Sequence, residues 1–275
     1  MKLLLTLAIV LLTNITVFSQ DKKFFVGLNV GVKFANKNYA YRYTGAYNNE
    51  LPVLLQQQQV HQQIYQILDN KDFSFYEFNE SFKYTPAINY GVILGYAVSP
   101  NLQASIDANF SQPKVETTFS IEIIDPSNQT SQENIMIGHV LGKEGRFNGK
   151  FNLDYIFDGD KAHFIIGLQG LFLSWRMEQL LYELNDEKWI YNAYSVHTPT
   201  NNITKKTSGS GWGYGINIGV DYRLNKKFVV QLMYQPYFSR VEYLYTKSQI
   251  QNAGSIYPGI TNRLEHDLTL RVHWK

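Results

Sequence analysis

The chain has 275 residues, of which 44% are hydrophobic types, 15% aromatic and only 17% charged, against about 25% charge in ordinary soluble domains. Its 25 Lys and Arg stand against 23 Asp and Glu, a formal net charge of +2, so nothing electrostatic points to nucleic acid as a partner. Lack of cysteine removes disulfides, thiolate metal sites and cysteine nucleophiles together, and there is no series of long apolar runs such as a polytopic helical membrane protein needs.

Lys2 precedes an apolar stretch, Leu3 to Leu12, broken only by Thr6, and Val17-Phe18-Ser19 has the residue sizes of a cleavage site. This pattern reads as a secretory signal peptide, residues 1–19, cut before Gln20, leaving 20–275 as a single domain. A membrane anchor is the alternative, but the apolar stretch is too short to span hydrocarbon.

The remainder alternates with a period of two in eight segments, which predicts strands with two unlike faces. Phe24, Val26, Leu28, Val30, Val32 and Phe34 oppose Gly27, Asn29, Gly31 and Lys33. The same division holds at Ile88–Val98 and, after the turn Ser99-Pro100-Asn101, at Leu102–Phe110, whose polar parity includes Asp107. A fourth segment, Phe147–Phe157, carries Lys150 and Asp154 on its polar parity with Arg146 just before it. The fifth, from His163 to about Trp175, is the least cleanly divided. In the sixth, Trp212, Tyr214, Ile216, Ile218, Val220 and Tyr222 oppose glycines, Asn217, Asp221 and Arg223; Phe228–Phe238 and Leu264–Trp274 complete the set.

Alternation alone also suits a soluble sandwich or lipocalin-type barrel, with the apolar face inward. Four features favour a transmembrane barrel. The polar parity is rich in Gly, Asn and Gln with charges of both signs; the segments are about ten residues long; tight turns at 99–101, 158–162 and 225–227 alternate with long connections at 36–85, 112–145, 176–209 and 239–262; and aromatics stand near strand ends. Trp212 and Tyr214 at the long-loop side, with Tyr96, Tyr222 and Trp274 at the short-turn side, are the expected interfacial girdles. The predicted architecture is all-β: an eight-stranded antiparallel up-and-down transmembrane β-barrel with long extracellular loops.

Eight strands leave an interior that side chains fill. Lys33, Arg146, Lys150, Arg223 and Arg271 are expected to meet Asp107, Asp154, Asp221, Glu265 and Asp267 there as a paired plug, a gated solute path being the other reading.

Three stretches, Phe24–Phe34 (FFVGLNVGVKF), Ala87–Gln112 (AINYGVILGYAVSPNLQASIDANFSQ) and Leu268–Trp274 (LTLRVHW), together resemble the PorT-like outer-membrane β-barrel family of Bacteroidota. The Gln after the cleavage site is similar to signal peptides of that phylum. The resemblance implies export to the outer membrane and an association with secretion machinery. It supplies no catalytic residues.

Function is then sought in the loops. Leu51 to Leu68 has near-helical apolar spacing with Pro52 suited to a first turn, although Gln56–Gln59 equally suits a polar tract. Tyr39, Tyr41 and Tyr43 alternate and predict an extension of the first strand, returned by Phe73, Phe75, Phe78 and Phe82. Phe119–Ile124 and Ile135–Leu141 predict a second raised hairpin, and Met177–Trp189 an amphipathic helix. Tyr39, Tyr41, Tyr43, Leu54, Leu55, Ile64 and Trp189 form the candidate loop binding surface, the alternative being that the loops pack on one another. No hydrolase, metalloprotease, phosphate-loop or dinucleotide motif is present, and His139 and His197 stand without recognisable spacing. The sequence therefore predicts a non-enzymatic outer-membrane barrel without cofactor or metal. Its partners are outer-membrane lipid and, through the loops, another outer-membrane or secreted protein. A narrow channel or small-ligand barrel is the alternative.

Overall fold

Each alternating run with a turn behind it can satisfy its backbone only by pairing with a neighbour. The computed structural model describes residues 23–37, 43, 50–79, 81–125, 134–160, 162–191, 195–198, 201–204, 208–225, 227–243 and 263–274. The signal-peptide expectation, Tyr39 and Tyr41 lie outside them. In chain order the elements are β1 (Phe24–Phe34), α1 (Glu50–Gln56), α2 (Gln58–Ile67), β2 (Asp72–Phe78), β3 (Lys83–Thr85), β4 (Ala87–Ser99), β5 (Leu102–Ser111), β6 (Lys114–Ile124), β7 (Ile135–Phe157), β8 (Ala162–Leu184), β9 (Glu187–Tyr191), β10 (Ser195–Thr198), β11 (Asn201–Thr204), β12 (Ser208–Arg223), β13 (Phe228–Tyr243) and β14 (Arg263–Trp274).

All but β10 and β11 belong to one antiparallel sheet of 12 strands. Within it, β1 pairs with β4, β4 with β5, β5 with β7, β7 with β8, β8 with β12, β12 with β13, β13 with β14, and β14 with β1 again. The register sets like against like: Leu28 lies between Val92 and Val272, and Asn29 between Gly91 and Arg271. Because the side-chain period is two, this register puts every polar parity on the same side. That side is buried: Asn29, Asp107, Asn152, Asn217 and Arg271 are covered, while Leu28, Ile106, Leu168, Ile216 and Leu232 are exposed.

β7 and β8 run for 23 residues each, well past the others. Past Arg146 the edge of β7 that faces β5 is taken over by β6, from Lys114↔Lys143 to Glu122↔Ile135. The chain bends between them at Pro113, whose carbonyl accepts from the Glu144 amide at 3.0 Å.

The long connections differ from expectation at several points. The stretch from Leu51 to Leu68 does become helical, as α1 and α2. β1 ends at Phe34, and the segment holding Phe73, Phe75 and Phe78 is β2, which among the described residues pairs with β6. Met177–Trp189 is not a helix. β8 continues through it to a two-residue turn at Asn185-Asp186, whose φ of 49° and 69° suits a tight hairpin, and β9 returns along it. A bulge opposite Lys143-Glu144 shifts the parity there, so that Met177 and then Leu180, Tyr182 and Leu184 all face the same buried side. Uneven spacing of that kind resembles a helical stripe when read from sequence.

Candidate functional site: a charged interior beneath an apolar cap

Toward the long-loop end, β7 holds Arg146 with no exposure, and three elements converge on it. Its Nε lies 2.7 Å from Glu144 Oε2, its Nη1 2.5 Å from Glu265 Oε1, and its Nη2 3.4 Å from the Tyr84 hydroxyl, which itself donates to Glu144 Oε1 at 2.5 Å. Glu265 is shared: Tyr237 donates to its Oε2 at 3.0 Å, and Lys33 Nζ stands 3.5 Å from the same oxygen while donating to the Tyr237 hydroxyl. One layer nearer the short turns, Lys150 bonds Asp267 at 2.7 Å and Gln235 at 3.1 Å, and Gln235 passes the chain on to Asn217 at 2.8 Å. Below that, Asn217 donates to Asp154 at 2.7 Å, and Arg271 donates to Asp107 at 2.6 Å with Asp154 at 3.9 Å from its other nitrogen.

Of the ten charges proposed from sequence, Lys33, Asp107, Arg146, Lys150, Asp154, Asp221, Glu265, Asp267 and Arg271 are buried on this side. Arg223 is not: it ends β12 beside the short turn and is exposed, because inward parity at the last residue of a strand no longer encloses the side chain. Glu144, Tyr84 and Tyr237 were missed. Glu144 is legible by continuing the alternation of Lys150, Asn148 and Arg146 one step further, and Tyr237 shares the parity of Gln231 and Gln235.

Above Arg146 the enclosed side turns apolar. Tyr43, Leu51, Leu55, Val60, Ile64, Leu68, Phe119, Val140, Trp175 and Tyr182 are all covered in one cluster that α1 and α2 close from above. Tyr43, Leu55 and Ile64 are therefore core and not binding surface, the correction following from the apolar inner faces of β6, β7 and β8, which need a cover. Leu54 belongs to α1, and Trp189 is half-buried against the cluster, donating Nε1–H to Gln63 at 2.8 Å. Burial and the neighbouring Glu144 carboxylate hold the Tyr43 phenol well above the ordinary tyrosine value, so it is a neutral part of the cover. Ile64→Ala removes the centre of this packing and is expected to cost the cap about 2–5 kcal/mol. Hydrogen exchange and limited proteolysis should show residues 50–79 opening while the strands below stay protected.

The aromatics expected at interfaces are outward. Trp212, Tyr214 and Tyr222 are exposed, and Tyr96 and Trp274 are half-buried. At the long-loop end Trp212 meets Phe172 at 5.1 Å and Tyr90 meets Phe110 at 5.7 Å; at the short-turn end Phe24 meets Tyr96 at 4.8 Å and Tyr155 meets Phe157 at 4.9 Å. Among the described residues no group of three or more His, Asp or Glu is arranged to hold a metal ion, and no helix is long and apolar enough to cross a membrane, which says nothing of strands.

No known protein family and no curated protein matches the chain. Among solved structures it is similar to Neisserial surface protein A, at 10% identity and a TM-score of 0.42, with 92% of this chain and 96% of that one covered. It is also similar to the outer membrane protein OprG from Pseudomonas aeruginosa, at 10% identity and a TM-score of 0.38, with 92% and 94% covered.

Proposed function

We propose that this chain is a non-enzymatic outer-membrane protein: an exported, eight-stranded up-and-down transmembrane β-barrel that acts through a folded cap at its long-loop end. The observation that carries the reading is the exchange of faces along β7 and β8. From Phe157 to Phe147 the outward side chains of β7 are Phe157, Tyr155, Leu153, Phe151 and Phe147, all exposed, while Asp154, Asn152, Lys150 and Arg146 are buried. Beyond that, Val140 is buried while His139 and Lys143 look outward. β8 changes in step: its outward Ile166 and Leu168 give way to Ser174 and Arg176, and its inward Gln169 to Leu171, Leu173 and Trp175.

A wholly apolar outward face below, and above it one into which Lys143, His139 and Arg176 enter beside Leu141 and Ile137, is what a lipid zone followed by water selects. The ten residue steps from Phe147 to Phe157, at about 3.4 Å each and tilted by about 45°, give a belt about 24 Å tall, the height of a transmembrane barrel's apolar band. Strand motifs in β1, β4, β5 and β14 support grouping the chain with the PorT-like barrels of Bacteroidota. A partner at the cap is supported by Tyr76, Ile124, Ile135 and Ile137, exposed on the loop sheet beyond the belt, where lipid does not account for them. The partner is another outer-membrane or secreted protein, met as part of a larger complex.

Fractionation tests the address: the mature chain should sediment with outer membrane and run faster on a gel unheated than boiled. Recovery in the soluble periplasmic fraction would overturn it. Gentle detergent extraction tests the role, the expectation being a stoichiometric partner that Ile137→Asp releases. In planar bilayers the charge-filled interior should show no steady conductance.

A further inference from the structure

The outer wall carries a cleft that the belt does not explain, on β12 and β13 at the upper edge of the apolar zone. It is lined by Trp212, Tyr214 and Phe238, with Ser210, Gly213 and Arg240. Arg240 stands directly across from Trp212, and Phe238 across from Tyr214. Alternation places these groups outward, since Tyr237, Ser239 and Val241 between and beside them are buried. Trp212 is 73% exposed and Tyr214 64%, among the most exposed aromatics of the chain, and Arg240 is exposed and makes no ion pair among the described residues.

We propose, building on the outer-membrane reading above, that this cleft holds the phosphate headgroup of an anionic lipid from the outer leaflet, with an acyl chain lying along the aromatic wall. Three features of the site argue for that occupant. Height is the first: Arg240 is one outward step above Phe238, the last apolar outward residue of β13, so its guanidinium sits where headgroup phosphates sit and not in hydrocarbon or bulk water. Chemistry is the second. A planar guanidinium matches two phosphate oxygens at once, the Ser210 hydroxyl lines the same cleft as a further donor, and the amphipathic rings of Trp212 and Tyr214 are at home at the boundary. The contrast with the neighbouring rim cations is the third. Arg176 and Lys143 also look outward above the belt but share Glu178, at 3.5 and 3.8 Å, so their charge is already answered within the protein. Among the described residues Arg240 alone joins a cation to an aromatic cleft there.

Purified full-length protein in detergent, probed by native mass spectrometry with phosphatidic acid, diacylglycerol of the same chains, and inorganic phosphate, tests the site. Wild type should retain one phosphatidic acid and neither of the other two, and Arg240→Gln should weaken retention about tenfold, one charge-assisted hydrogen bond's worth. Arg176→Gln, equal in charge change, should leave retention as it is, and Trp212→Ala should weaken it by loss of the chain's wall. Equal retention by wild type and Arg240→Gln, or equal weakening by Arg176→Gln, overturns the proposal. So does retention of inorganic phosphate as strongly as of the lipid, which would make the cleft a simple anion site. All variants are checked for the heat-dependent gel shift and for outer-membrane fractionation. A wild type absent from that fraction defeats the membrane reading itself, whereas normal fractionation with no effect of Arg240→Gln defeats the lipid site alone.

Discussion

Replacing Leu168 by arginine is expected to destabilise the protein in a lipid bilayer by about 2–4 kcal/mol, the cost of a cation at mid-depth on a barrel's lipid face. Leu168 is 66% exposed and lies between Leu153 of β7 and Ile216 of β12, both also outward, so the three mark the middle of the belt. In a water-soluble protein an exposed leucine of this kind tolerates arginine within about 0.5 kcal/mol, because nothing is lost but scattered apolar contact. One substitution thus separates the two solvents that the outer face could meet. The matched variant is Ser174→Arg, six residues further along β8 and across from Ser210, where a cation should cost only about 0–1 kcal/mol. Denaturant titration of refolding into lipid vesicles measures both. Equal, small effects at the two positions would remove the lipid belt and with it the proposed address.

The strands were legible because each obeys one period and one environment. β12 keeps its parity from Trp212 to Tyr222 without interruption, and the paired turn at Ser99-Pro100-Asn101 punctuates β4 and β5 as its composition demands. Legibility failed where the environment changes along one strand. Leu171, Leu173, Trp175 and Met177 continue the inward parity of Gln169, yet Trp175 and Met177 face the underside of the cap, and Leu171 and Leu173 pack on Tyr237 and Val241 just below it. From sequence that looks like the end of a strand, and the apolar residues beyond it like a separate helix. The binding-surface expectation failed for the same reason: Tyr43, Leu55 and Ile64 are apolar residues in loops, and apolar loop residues are equally the material of a small core. Only the inner faces of β6, β7 and β8, which need covering, decide between the two. The charge network was half legible. Parity gave its members, but not which cation meets which acid, since partners such as Arg146 and Glu265 are 119 residues apart and come together only when the ring of pairings is complete.

Arg146→Met is expected to cost about 3–5 kcal/mol, although methionine is apolar, of similar length and placed inside. The substitution strands two carboxylates without their main counter-ion: Glu144, whose other partner is the Tyr84 hydroxyl, and Glu265, left with Lys33 at 3.5 Å, with Tyr237 and with the Asn36 amide at 3.2 Å. Unpaired buried charge, and not lost packing, sets the size of the effect, so the sign of a second change is predictable. Adding Glu144→Gln removes one stranded charge and keeps a side chain that still accepts from Tyr84; roughly half of the loss should return. Arg146→Lys should fall between, since an ammonium keeps the charge but cannot reach Glu144, Glu265 and Tyr84 together as the fork does. Denaturant titration in detergent or vesicles gives all three. If Arg146→Met cost less than about 1 kcal/mol, the pair would be behaving as a water-exposed one. The interior would then be wet and open, and the steady conductance that a filled barrel lacks should appear in the same preparation.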